Sequence, residues 1–577
     1  MKKKTFFLHI IFVILVGLVG LLYLKRFNLE AQTTDTEQIT TFVSVGNSCP
    51  AIPANPDPVF VVESTASTAT SPTTPGQAIT WTTTAIDANG ENYYLIICSN
   101  KTGTAVNGGA PNCGGGVNRT YATSSSTASG SPATASYTTL GTDPWENPWY
   151  AYVCDSNAIN AKCCLVSADP GSAANETPFY VNHAPTFTVV NNNSPRNPGQ
   201  NVTWTTTASD TDGSSTVKLL VCKTQAMVDG VCTGGAWCTS SAVASNPTCS
   251  YLIPTPTADT TYNAWVYVVD QFNTPAAGSG TKQASASNYV VSNVAPAISN
   301  VTLNGGAAIE LVDSSTKAVP VTATVVDDNG CAGGEITSVN AYVYRSGIGY
   351  SNCDTAGKAN NNHCYPAISC SAGTCSGTTV TYSCTANLQY YADPTDLKYV
   401  APLEAMDFKS ETWLATVKAT DNNSASNNTQ IVSGVNVNSL AAFSIAPAGV
   451  NYGEFDAGGT DTTLNKTIVV TPTGNCPFNV MLSGTDMCTN YPTCGTAGGK
   501  TPIAVGQQKY ALATGTTYSS GIALSTTPTK ANLLVAKVKN VASIPSKTLW
   551  WGIAIPTGKI MGDYSGVNTI TSTAEGT

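Results

Sequence analysis

The chain has 577 residues, of which only 11% are charged, with a formal net charge of −9 and 19 cysteines. That length exceeds what one core can organise, so about four domains are expected. A mildly acidic chain with no Lys/Arg cluster after Arg26 lacks the cationic face that nucleic acid requires. Thr, Ser, Asn, Gly and Ala take the place of charge, a composition that suits an exported β-protein better than a cytosolic enzyme. In an oxidising compartment so many cysteines are staples, and their odd number leaves at least one thiol over.

The first element is apolar. Lys2-Lys3-Lys4 precede residues 6–24, nineteen residues that as a helix would extend about 28 Å, enough for a bilayer core. Lys25-Arg26 follow at once. The expectation is a membrane anchor within residues 1–31, oriented with its N-terminus inside the cell; the alternative is a secretory signal cleaved near Ala31. Residues 32–49 form a polar spacer containing one alternating segment, 39–45, which either pairs within its own chain or is lent to a neighbouring molecule. With no second apolar span toward Thr577, anchoring is expected to rest on the N-terminal segment.

A repeated unit organises the exported chain. Pro75-Gly76-Gln77 through Trp81 to Asp87-Ala88-Asn89-Gly90 returns, 123 residues later, as Pro198-Gly199-Gln200 through Trp204 to Asp210-Thr211-Asp212-Gly213. Both copies then enter an apolar segment ending in cysteine, Tyr94–Cys98 and Leu219–Cys222. A third unit carries Asp327-Asp328-Asn329-Gly330, and each unit has a late Trp-led segment ending in Asp155, Asp270 or Asp421. Period-two alternation between Gly, Pro, Asn and Asp turns predicts tandem β-sandwiches over residues 50–183, 184–294 and 295–440. A further β-sandwich is expected over 441–577. The Gly/Ser/Thr/Ala-rich insert at 101–136 reads as a loop.

These parts resemble the tandem immunoglobulin-like, PKD-like and fibronectin-type repeats of prokaryotic cell-surface proteins, over roughly residues 50–440. The resemblance implies an all-β fold of tandem immunoglobulin-like domains following one N-terminal transmembrane or signal helix. Trp81 and Trp204 stand where an antibody-type domain carries its first core cysteine, so an antibody-type intersheet disulfide is not expected. The Asp-Phe-Gly-Asp-Gly signature of PKD domains is absent. The fourth domain, with Gly562-Asp563-Tyr564-Ser565-Gly566, looks like the C-terminal sandwich of some secreted surface proteins.

Disulfide candidates are Cys98, Cys113, Cys154, Cys163, Cys222, Cys249, Cys370, Cys375, Cys488 and Cys494; Cys370 to Cys375 and Cys488 to Cys494 are short enough to close as loops. Cys476 is the candidate for the odd thiol. Adjacent Cys163 and Cys164 would face opposite sides of a strand. His363, Cys364, Cys370 and Cys375 offer zinc-type ligands, but at irregular spacing. Asp210, Asp212, Asp327 and Asp328 are hard oxygen donors suited to calcium, although two carboxylates per loop fall short of the six to eight oxygens the ion takes; Asp-Gly loops are also ordinary turns. No other cofactor is expected. Asn100, Asn118, Asn175, Asn201, Asn300 and Asn465 head glycosylation sequons, as chance supplies in so Asn- and Thr-rich a chain. No nucleophile elbow, His-Glu-x-x-His or phosphate loop is present. The expectation is a non-catalytic, disulfide-stapled cell-surface stalk for adhesion or recognition of a glycan or protein, attached to the membrane through residues 6–24. One alternative is a surface-layer or filament subunit that self-associates by strand donation; another is a secreted glycan-acting enzyme. Recognition should then reside where the copies differ, at 101–136, 223–249 and 345–384.

Overall fold

The computed structural model describes residues 62–63, 67–87, 89–115, 119–165, 178–213, 215–399, 406–495 and 497–575. The expected anchor (6–24), the alternating segment 39–45 and Cys49 lie outside the described residues. Among the described residues no helix is long and apolar enough to cross a membrane. Two compact units divide between Asn182 and His183.

In the first unit, Val62–Glu63, Ala78–Thr84 and Pro132–Thr138 form one sheet, and Thr120–Thr123, Tyr93–Cys98, Tyr150–Asp155 and Cys163–Leu165 form the other. This is an immunoglobulin-like sandwich. Alternation sets the inner face: Ile79 and Trp81 are buried, while the Thr80 hydroxyl points outward to Ser136 at 3.2 Å. Trp81 packs edge-on against Trp149, with centroids 5.6 Å apart, and so fills the centre without a disulfide.

The next strand, Tyr93–Cys98, does not alternate, because both its faces are covered. Tyr93, Leu95 and Ile97 enter the core, and Ile96 and Cys98 enter a second cluster with Cys113, Tyr152 and Cys154. The cover is a hairpin, Gly103–Val106 with Gly109–Cys113. The insert at 101–136 is therefore not the loop that its composition suggested. The turn is Asn107-Gly108, with Gly108 at φ +67°, a dipeptide that favours tight hairpins. Gly103 lies so close to Tyr152 that a Cβ would meet the ring at 2.4 Å.

The second sandwich repeats this plan. Thr186–Asn192, Asn201–Ser209 and Thr248–Leu252 face Ala236–Thr239, Val217–Cys222, Trp265–Asp270 and Ser285–Ala286. Its small hairpin, Met227–Val228 with Val231–Cys232, turns at Asp229-Gly230, both at positive φ (49° and 71°). In the third, strand Cys364–Ala372 passes from one sheet to the other: Tyr344 lies opposite Cys364, and Cys370 opposite Cys384. The fourth has a five-stranded sheet around Lys466–Pro472 and Lys547–Ile553, and a three-stranded sheet around Phe478–Gly484.

Eight disulfides join described residues to one another: Cys98–Cys113, Cys154–Cys163, Cys222–Cys232, Cys238–Cys249, Cys331–Cys375, Cys353–Cys364, Cys370–Cys384 and Cys488–Cys494. Cys370 and Cys375 do not bond to each other, as their short spacing suggested. Cys370 faces Cys384 across the ladder, and Cys375 reaches Cys331. Cys164 is disulfide-bonded as well. Cys476 is a free, buried thiol.

Candidate functional site

The Asp/Gly loops of the second and third sandwiches have a common local task. In each, the first Asp accepts the backbone N–H two residues on: Asp210 from Asp212 at 3.0 Å, and Asp327 from Asn329 at 2.9 Å. The third loop residue then holds the incoming linker. Asp212, buried, accepts the backbone N–H of His183, and its other oxygen lies 2.8 Å from His183 Nδ1. Asn329 accepts the N–H of Val294 at 2.7 Å and donates to the carbonyls of Ser292 and Thr257. Asp212 is thus committed to its linker, and Asp328 contributes through its backbone carbonyl, which accepts the N–H of Thr257 at 3.4 Å. Among the described residues no three His, Cys, Asp or Glu side chains are grouped as around a bound metal ion. The zinc set suggested by the sequence is dispersed, since Cys364, Cys370 and Cys375 are each in a different disulfide.

A cavity of ≈ 640 Å³ lies where the third and fourth sandwiches meet. Arg345, at the end of strand Ile336–Arg345, and Asp393 form its floor with Lys537 of the fourth sandwich; residues 360–363, Lys539 and Asn540 contribute its rim. Asp393 is the hub. Its Oδ1 accepts from Lys537 Nζ at 2.7 Å and its Oδ2 from Arg345 Nε at 3.2 Å. Arg345 Nη1 donates to Glu411 at 2.5 Å, and the guanidinium stacks over the Phe408 ring at 3.7 Å. Lys537 also donates to Asn362 Oδ1 at 2.6 Å, and Asn362 donates to the Lys539 carbonyl at 2.9 Å.

His363 Nδ1 stands 3.8 Å from Asp393 Oδ2. Burial lowers the pKa of His363 from its ordinary value; Asp393 opposes that shift, whereas Arg345 and Lys537 add to it. The imidazole is accordingly neutral at pH 7. Among the described residues the cavity lining includes no Ser, Thr or Cys that His363 could activate. Asp393 and Glu411 both pair with Arg345. The floor is internally paired, while Asn361, Lys539 and Asn540 are exposed at the rim. Such a site can hold a ligand by amide hydrogen bonds above a fixed ionic base.

Sequence reasoning selected residues 345–384 as a region of interest but missed Asp393 and Lys537. A signal for Lys537 was present. It is the lone charge in the run Leu533-Leu534-Val535-Ala536-Lys537-Val538, and a lysine so enclosed needs a buried partner.

No family model and no curated protein matches the chain. Among solved structures, a marsupial T cell receptor is 11% identical, covering 63% of this chain and 98% of its own, with a TM-score of 0.23. A Ca2+-stabilized adhesin of an Antarctic bacterium that binds ice is 14% identical over 90% and 99%, with a TM-score of 0.25. The full ectodomain of mouse nectin-like molecule 4 is 10% identical over 63% and 96%, with a TM-score of 0.25. Likenesses this weak carry no statement about what this chain does.

Proposed function

We propose that this chain is an exported, non-catalytic recognition protein of the cell surface, a stalk attached to the membrane through residues 6–24, whose ligand occupies the cavity between the third and fourth sandwiches. The observation that carries the reading is the cavity itself: a large polar recess with a paired ionic floor and, among its described lining residues, no Ser, Thr or Cys. Amides that both donate and accept suit a hydroxyl-rich ligand of the glycan class. The eight disulfides support an oxidising, extracytoplasmic setting.

The test is glycan-array binding by the detergent-solubilised full chain, followed by calorimetry on the hits. The double variant Asn361→Ala/Asn540→Ala should weaken binding about tenfold or more, the loss of one or two hydrogen bonds left unmade, while the folded state is unaltered. Absence of binding to any glycan, or binding that this variant does not change, would overturn the reading.

A further inference from the structure

The junction between the second and third sandwiches contains a group of buried acids without counter-charge. Asp327 is fully buried, Asp421 is 1% exposed and Glu335 8% exposed. Asp259, from the second sandwich, joins them through a contact with the Asn423 amide. The segments are laced together: Asn293 donates to Asp421 Oδ2 at 2.8 Å, and Asn422 donates to Glu335 Oε2 at 3.1 Å.

Asp327 and Glu335 are each only half used, whereas Asp421 accepts on both oxygens, Oδ1 from the Asn423 and Ala425 N–H groups and Oδ2 from Asn293. Asp327 Oδ1 accepts from Asn329, whereas Oδ2 is buried with no hydrogen-bond partner. Glu335 Oε1 is in the same position, and so is the side-chain oxygen of Asn293. Three unpartnered oxygens thus come from three separate segments: the linker, the Asp/Gly loop and the entry to strand Ile336–Arg345. The other charges acting on Asp327 and Glu335 are those of Asp259, Asp328 and Asp421, all negative. Burying a carboxylate with no cation beside it and one oxygen unpartnered is costly, and a bound cation would offset that cost.

We propose that this junction binds a divalent cation of the calcium type, ligated by Asp327 and Glu335 of the third sandwich with the side-chain amide oxygen of Asn293 in the linker, and assisted by Asp421 and by Asp259 of the second. The donors are all hard oxygens drawn from irregular segments. That suits calcium, which accepts variable geometry and completes its six to eight oxygens with water and backbone carbonyls, better than magnesium, which demands a near-regular octahedron. These side chains do not already surround one point as in a filled sphere, so binding includes their closure on the ion. Of the four aspartates that the sequence singled out, only Asp327 is a ligand here. Because the donors belong to both sandwiches and to the linker between them, the ion would fix the relation of one to the other.

The test uses the full chain in detergent, stripped with chelator. Calcium at millimolar concentration should raise the melting temperature by several degrees and protect the linker around Asn293 from proteolysis, and magnesium should do so much less. Glu335→Gln should abolish both effects yet fold, being at least as stable as the wild type in chelator because a buried charge has been removed. The proposal falls if calcium shifts nothing, if Glu335→Gln keeps the full shift, or if Asp210→Asn, at the other acidic loop, abolishes it instead.

Discussion

Replacing Lys537 by alanine should lower the stability of the His183–Thr577 unit by about 3 kcal/mol, among the largest losses a single surface-remote substitution can produce. The Lys537 side chain is 2% exposed and sits between Asp393 and Asn362. Removing the ammonium leaves Asp393 with Arg345 alone, still buried, and leaves the amide oxygen of Asn362 short of a donor. His363 cannot step in as a cation, because burial holds it neutral. The comparison is Lys398→Ala, which removes a pair with Asp407 whose side chains are 45% and 56% exposed. That change should cost under about 1 kcal/mol, since water screens the pair. Urea denaturation followed by tryptophan fluorescence measures both. Equal effects would mean that the Lys537 network contributes no more than a surface ion pair. Acidification adds a second expectation. A histidine whose folded pKa is lowered contributes stability above its unfolded value and loses it as pH falls below about 6.5, so the cavity floor should weaken in mild acid.

Loss of the Cys331–Cys375 disulfide should cost about 4 kcal/mol, and loss of Cys488–Cys494 about 2 kcal/mol, on the chain-entropy account. The difference arises from the closed loops, with sequence separations of 44 and 6 residues. Paired Cys→Ser variants of each, compared by thermal and urea denaturation, test the ordering. Should the short loop prove the more costly, native packing around Cys488, which is 1% exposed, outweighs the constraint on the unfolded chain.

Much of the sandwich plan was legible because it depends on local alternation. In Ile79-Thr80-Trp81-Thr82 and Val202-Thr203-Trp204-Thr205 alternation must place the tryptophan with the apolar residue on one face and the flanking threonines on the other, and the structure buries Trp81 and Trp204 completely. The hairpins at 103–113 and 227–232 were harder to see in Gly- and Ala-rich sequence, although Asn107-Gly108 and Asp229-Gly230 did mark the turns. Disulfide connectivity was not legible, because it follows strand register rather than spacing. Cys370 pairs with Cys384 since the two stand opposite each other in a ladder, and Cys163 with Cys154 for the same reason. The cavity was hidden for a related cause. Arg345, Asp393 and Lys537 are 48 and 144 residues apart along the chain, and only tertiary folding brings their charges together. The acidic loops illustrate a different limit. Asp212 and Asn329 occupy equivalent positions in copied loops, and no pattern in the sequence announced that both would grip the linker before them.

Cys476 gives the junction of the third and fourth sandwiches a built-in clock. It is the unbonded cysteine among the described residues, 1% exposed, with its thiol pKa pushed up to about 11 by burial, and it packs with Tyr399 and Met406 of the third sandwich. A thiol so enclosed reacts with an alkylating reagent only in the moments when the two sandwiches part. The labelling rate at Cys476 therefore counts those openings directly, and whatever occupies the neighbouring cavity should be readable as a change in that rate.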